Sequence, residues 1–220
     1  MGSITRSFAN NIGSSGILTA SAVTNTTIED VTSFDNAASA ATLVLLSTQT
    51  ASASATISFT TGLDSTYDEY IFKFIDIHPA TDGQEFQFNM SSDGGSNYNV
   101  TKTTTFFNAF HNEADTSDGL LYNGGQDLAQ STAFQNLSGP IGNGADESGS
   151  GYLTLFNPSS TTYVKHFISV IQDYNSDNTS EQKFIAGYGN TTSAVNAVRF
   201  QMASGNIDDG IIKLYGVKKS

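Results

Sequence analysis

YDEYIFKFIDI, from Tyr67 to Ile77, is the longest uninterrupted strand signal in the 220-residue chain. Tyr70, Phe72 and Phe74 recur at alternate positions, while Glu69 and Lys73 share the other face with Ile71, Ile75 and Ile77. A period of two with bulky rings on one side requires that side to be buried, so the stretch predicts a central strand of a sandwich.

The segments on either side carry the same signal. Upstream, Leu43 to Thr48 is an apolar run and Ala55 to Thr61 places Ile57 and Phe59 on one face, which reads as a first hairpin or as two strands on opposing sheets. Downstream, His78-Pro79 and Asp82-Gly83 make a turn, Pro fixing one dihedral and Gly permitting a positive one. Gln84 to Met90 then alternates, with Phe86, Phe88 and Met90 inward and Glu85, Gln87 and Asn89 outward. Further strands are expected at Lys102 to Phe110, Tyr152 to Phe156, Tyr163 to Ile171 and Gly210 to Val217. Two more are read with apolar faces inward: Lys183 to Tyr188 burying Phe184, Ala186 and Tyr188, and Asn196 to Met202 burying Val198, Phe200 and Met202. Between Leu120 and Gly151 the pattern fades into one short strand near Thr132 to Leu137 and the Gly-rich loop GPIGNGADESGSG. About ten short strands with no helical period predict an all-β fold, an antiparallel jelly-roll-like β-sandwich over residues 43–220, with an Ig-like sandwich as the alternative.

Residues 1–42 are different in kind. They are rich in Ser, Thr, Asn and Ala, and Ile4, Phe8, Ile12, Ile17, Leu18, Val23, Ile28, Val31 and Phe34 are spread thinly among them. Such a segment buries too little surface alone to offset the entropy of ordering it. It reads as an extended N-terminal arm for oligomerisation or docking, with Asp35 to Ala41 as a linker or single helical turn.

Composition bounds the function. A net charge of −12 with only nine basic residues argues against a nucleic-acid partner, which needs clustered Lys and Arg. The chain has no cysteine, which excludes disulfides and thiolate metal sites, and no apolar run is long enough for membrane insertion. With no secretory signal read at the start, the product is expected to stay in the cytoplasm where it is made unless lysis or a dedicated exporter releases it.

Catalytic signals are sparse. His78, His111 and His166 lie far apart, and His166, within a strand, reads as a hydrogen-bonded structural histidine. Asp68-Glu69 and Asp146-Glu147 are adjacent carboxylates, which point to opposite faces in a strand and to solvent in a loop. The best metal candidate is Asp173 to Glu181, DYNSDNTSE, where Asp173, Asn175, Asp177 and Glu181 occupy the first, third, fifth and ninth positions of a calcium loop. Asn178 stands where that loop has glycine and Phe184 where it has its bidentate acid, so an ordinary polar hairpin is the competing reading. Tyr98, Phe106, Phe107, Tyr122, Tyr152 and Tyr174 are candidates for a sugar-binding face or for caps on the core.

The phrases SITRSFANNIGSSGILTASAV (Ser3 to Val23), LLSTQTASASATISFTTGLDSTYDEYIFKF (Leu45 to Phe74), NPSSTTYVKHF (Asn157 to Phe167) and MASGNIDDGIIKLYGVK (Met202 to Lys218) resemble virion proteins of marine tailed bacteriophages, including cyanophages. The resemblance implies a virion structural protein of the tail fibre or appendage type, homo-oligomeric and by preference trimeric. It implies an N-terminal segment that docks on other virion proteins and a C-terminal β-sandwich module, which is expected, when exposed, to contact host-surface glycan or to decorate the particle. Capsid decoration, a self-assembling filament and a stand-alone carbohydrate-binding module are the rival readings.

Overall fold

A computed structural model describes residues 42–218. The arm assigned to residues 1–42 lies, apart from Thr42, outside the described residues, as does the linker at Asp35 to Ala41. The described residues form twelve strands: β1 (Leu43–Thr50), β2 (Ile57–Phe59), β3 (Glu69–Pro79), β4 (Phe86–Ser91), β5 (Lys102–Asn112), β6 (Asp118–Tyr122), β7 (Gln135–Asn136), β8 (Gly149–Phe156), β9 (Lys165–Asn175), β10 (Thr179–Gly189), β11 (Ala197–Met202) and β12 (Ile207–Val217). All pairings are antiparallel, in two sheets ordered β1-β12-β3-β8-β9-β10-β5-β6 and β2-β11-β4-β7.

The expected two-layer all-β sandwich is therefore present, and its division into eight and four strands is wider than the eight strands of a plain jelly roll. β1 and β2 belong to opposing sheets, which settles the choice left open between a hairpin and two layers. β3 is interior to the wide sheet, with Tyr70, Phe72, Phe74 and, past a register shift, Ile77 all buried. The shift lets Asp76 adopt φ 50°, a left-handed conformation that Asp tolerates better than bulky residues.

Rings tie the layers together. Phe200 on β11 packs against Phe59, Phe86 and Phe88 of its own sheet and against Phe72 and Phe74 of β3 opposite, with centroids 5.2–6.5 Å apart. Phe88 meets Phe167 of β9 edge-on at 4.9 Å. The narrow sheet cannot cover the whole wide one, and the segment between β6 and β8 closes the remainder. Leu137 N–H donates to Phe86 O, Phe86 N–H to Ser138 Oγ, and Ile141 is bridged to Gln84 and Asn175.

Two expected orientations are corrected. Asn89 is fully buried, its Nδ2 donating to Tyr98 O and Thr132 O and its Oδ1 accepting from Met90 N–H and Lys102 Nζ. On β10 it is Lys183, Ile185 and Gly189 that face inward, while Phe184, Ala186 and Tyr188 lie on the outer face, because Phe184 stacks on Phe107 of β5 at 4.9 Å. The ring-against-ring contact across strands outweighs the cost of turning a lysine inward where a carboxylate receives it.

Candidate functional site

Three regions concentrate polar or aromatic groups: the β9–β10 hairpin, the outer face of the wide sheet and an acidic depression beside β3.

The expected loop at Asp173 to Glu181 is mostly strand. β9 runs to Asn175, β10 starts at Thr179, and the turn holds only Ser176, Asp177 and Asn178, the last at φ 57°. Alternation sends Asp173 and Asn175 of β9, and Glu181 and Lys183 of β10, to the inner face; Asp173 and Glu181 sit directly opposite each other. The hairpin thus brings together three of the four residues expected to bind calcium. The fourth, Asp177, lies in the turn and with Asn175, Thr179 and Glu181 lines part of a depression of about 480 Å³.

The cation at this place belongs to the protein. Lys183 Nζ pairs with Glu181 Oε2, which also accepts from Asn175 Nδ2 at 3.0 Å. Asp173 is fully buried; its Oδ2 accepts from Gly139 N–H at 3.0 Å and its Oδ1 has no hydrogen-bond partner among the described residues. Burial pushes the Asp173 carboxyl up to about 7, opposed in part by Lys183 and the Gly139 N–H. A calcium ion would have to displace a buried ammonium and would find an aromatic ring where its bidentate acid belongs, so these residues do not fit that ion. Among the described residues no group of three or more His, Cys, Asp or Glu is arranged to hold a metal.

The outer face of the wide sheet carries a cross-strand row in continuous register: Lys213, Lys73, Tyr152, Val170, Phe184, Phe107 and Tyr122. Tyr152, Phe107 and Tyr122 are 41, 39 and 57% exposed, and Ile168 in the next row is 47% exposed. Between this row and the pair His166 and Tyr188, whose rings lie 6.3 Å apart, the small side chains of Ala186 and Thr105 leave a trough of about 510 Å³ floored by Gly187 and bordered by Phe156. Aromatic edges, threonine hydroxyls and one imidazole around a shallow apolar floor suit the C–H face and hydroxyls of a sugar ring.

The six aromatic candidates consequently divide. Phe107, Tyr122 and Tyr152 share the outer face. Phe106 and Tyr98 are buried, the latter under the Arg199 guanidinium at 4.0 Å, and Tyr174 donates to Glu113 Oε1. Sequence reading missed Phe156, Ile168 and Tyr188 because their neighbours in the trough come from other strands; only the outward turn of β10 would have exposed the pattern.

The remaining candidates separate as well. His166 is exposed in the trough, His111 pairs with Asp115 at 3.2 Å on the surface, and His78 Nδ1 lies 2.7 Å from Glu147 O. Asp146 and Glu147 come together with His78, Asp76, Asp208 and Asp209 in a depression of about 460 Å³. Asp68 and Glu69 lie at the start of β3, away from that cluster.

Comparison of the chain with family models, curated proteins and solved structures finds no match in any of the three.

Proposed function

We propose that the chain is a non-enzymatic structural protein of a tailed-bacteriophage particle, a homo-oligomeric fibre or appendage component whose sandwich offers its wide sheet to a host-surface glycan. The observation that carries this reading is the trough on that sheet. Beside it, aromatic and aliphatic side chains held in register across five strands face outward instead of joining the core. An exposed band of that kind is the mark of a contact surface. The quoted phrases support the virion assignment, and the thinly apolar composition of residues 1–42, which buries too little surface alone, suits a segment that packs on another copy or on other virion proteins.

Two measurements test the proposal. Light scattering on the full chain gives a trimer, and on a chain starting at Leu43 a monomer; two monomers would remove the assembly role of residues 1–42. Titration of the full chain with polysaccharide from the host surface, followed by tyrosine fluorescence, saturates, and Tyr188→Ala weakens it by about tenfold, the worth of one aromatic contact. Saturable binding by a monomeric full chain would favour the stand-alone carbohydrate-binding module. Binding unchanged by Tyr188→Ala would move the contact off this face.

A further inference from the structure

The β9–β10 hairpin holds an amine, a buried acid and a second carboxylate around one point. That point is Gly139. Its N–H binds Asp173 Oδ2 at 3.0 Å, and a Cβ built on it would lie 2.7 Å from Lys183 Nζ and 2.5 Å from Glu181 Oε2. Lys183 and Asp173 are diagonal neighbours on adjacent strands, since Lys183 is opposite Ile171 and Glu181 opposite Asp173. Diagonal pairs lie roughly 7–8 Å apart at the backbone, within the span of an extended lysine and an aspartate joined head to head. Asp173 Oδ1, buried and unpartnered, is the atom this arrangement leaves with nothing to do.

We propose that Lys183 and Asp173 react to form an intramolecular amide between Nζ and Cγ, with Glu181 as the proton carrier. Glu181 takes one proton from the ammonium it already contacts, leaving a neutral amine. The amine lone pair attacks Cγ of the Asp173 acid, the N–C bond forms, and the C–O bond to the departing hydroxyl breaks. A second amine proton, relayed by Glu181, leaves with that hydroxyl as water. Of the three ammonium protons one ends on Glu181, one in the water and one on the amide nitrogen, so no oxidant, reductant or other reactant is consumed.

The surroundings favour each part of this step. Asp173 is the electrophile because burial raises its carboxyl toward the acid form, while Glu181, which accepts from Lys183 and Asn175, is the carboxylate placed to carry the proton. Both groups are anchored in one hairpin, which lowers the entropy of bringing them together, and Lys183 Nζ, ion-paired to Glu181, swings from it to reach Asp173. The products are uncharged, so the cost of keeping an ion pair in the sandwich disappears.

The test is the intact mass of the purified full chain together with a tryptic map. The expected result is one water less than the sequence. Trypsin needs a free lysine and would not cut after Lys183, so the map would show a single fragment spanning residues 166–199, one water light. Glu181→Gln and Lys183→Arg would return the full mass. The full sequence mass in the natural chain overturns the proposal, and that reading requires no variant to fold. So does a water loss that persists in Lys183→Arg, which places the dehydration elsewhere. Loss of one ammonia instead would place a bond between Lys102 and Asn89, whose Nζ and Oδ1 are 2.6 Å apart, and would equally overturn it.

Discussion

At the scale of single residues, two side chains show what the sandwich tolerates. Phe200 touches five other rings drawn from both layers, so its removal opens a cavity that no one neighbour can fill. Phe200→Ala should cost about 3–5 kcal/mol in guanidinium unfolding. Lys102 is the opposite case, a cation fully buried without a carboxylate. Among the described residues its Nζ donates only to Asn89 Oδ1 and Val100 O, and across Gly189 its row continues to another buried lysine, Lys165. Burial lowers Lys102 from 10.5 to about 7. The unfolded chain therefore binds more protons between those values, and stability rises with pH across that window. The contribution is complete above 10.5 and lost as the pH falls to about 7. Urea midpoints should increase from pH 7 to pH 10, and the slope should flatten in Lys102→Met; an equal slope in both proteins would assign the effect to other groups.

Strands were legible in proportion to how far their own residues decide their facing. Tyr70, Phe72 and Phe74 alternate with charge, and β3 is buried as that alternation dictates. The same rule inverted β10, because Lys183 Ile185 and Phe184 Ala186 are balanced pairs locally, and the deciding contacts come from Phe107 and Glu181. β6 gives no period-two signal because Asp118 to Tyr122 has no buried face at all; only pairing with β5 makes it a strand. In the hairpin cluster the spacing pattern exposes the oxygen ligands and not the cation, since Lys183 lies outside it. Close strand approach leaves its own mark at Gly151, between β3 and β9. A Cβ there would meet Val170 O and lie 2.7 Å from Ile171 Cα, backbone atoms that cannot turn aside. Gly151→Ala should destabilise by about 1–3 kcal/mol or more, read as a fall in the denaturant midpoint with an unchanged m-value. Gly94, which has nothing near its Cβ but φ 72°, should lose less on the same change.

For the whole molecule, the two-layer all-β class followed from periodicity, whereas the eight-to-four division did not, since register across distant strands is set by contacts that no local window contains. Calcium offers a test of the hairpin at this scale. With Lys183 Nζ seated where an ion would have to sit, a thermal melt of the full chain should keep its midpoint across millimolar calcium, and a rise with concentration would show an ion bound to the folded state. The placement of the first and last strands bears on how the protein would carry load. β1 and β12 are antiparallel neighbours paired from Leu43 with Val217 onward, and Lys218 N–H donates to Thr42 O. A pull applied between these two points therefore loads one hydrogen bond at a time and peels the edge strand like a zipper. Tension applied through the sheet along its strands would strain many bonds together. The sandwich would yield gently when pulled by these two ends and resist when gripped by its face.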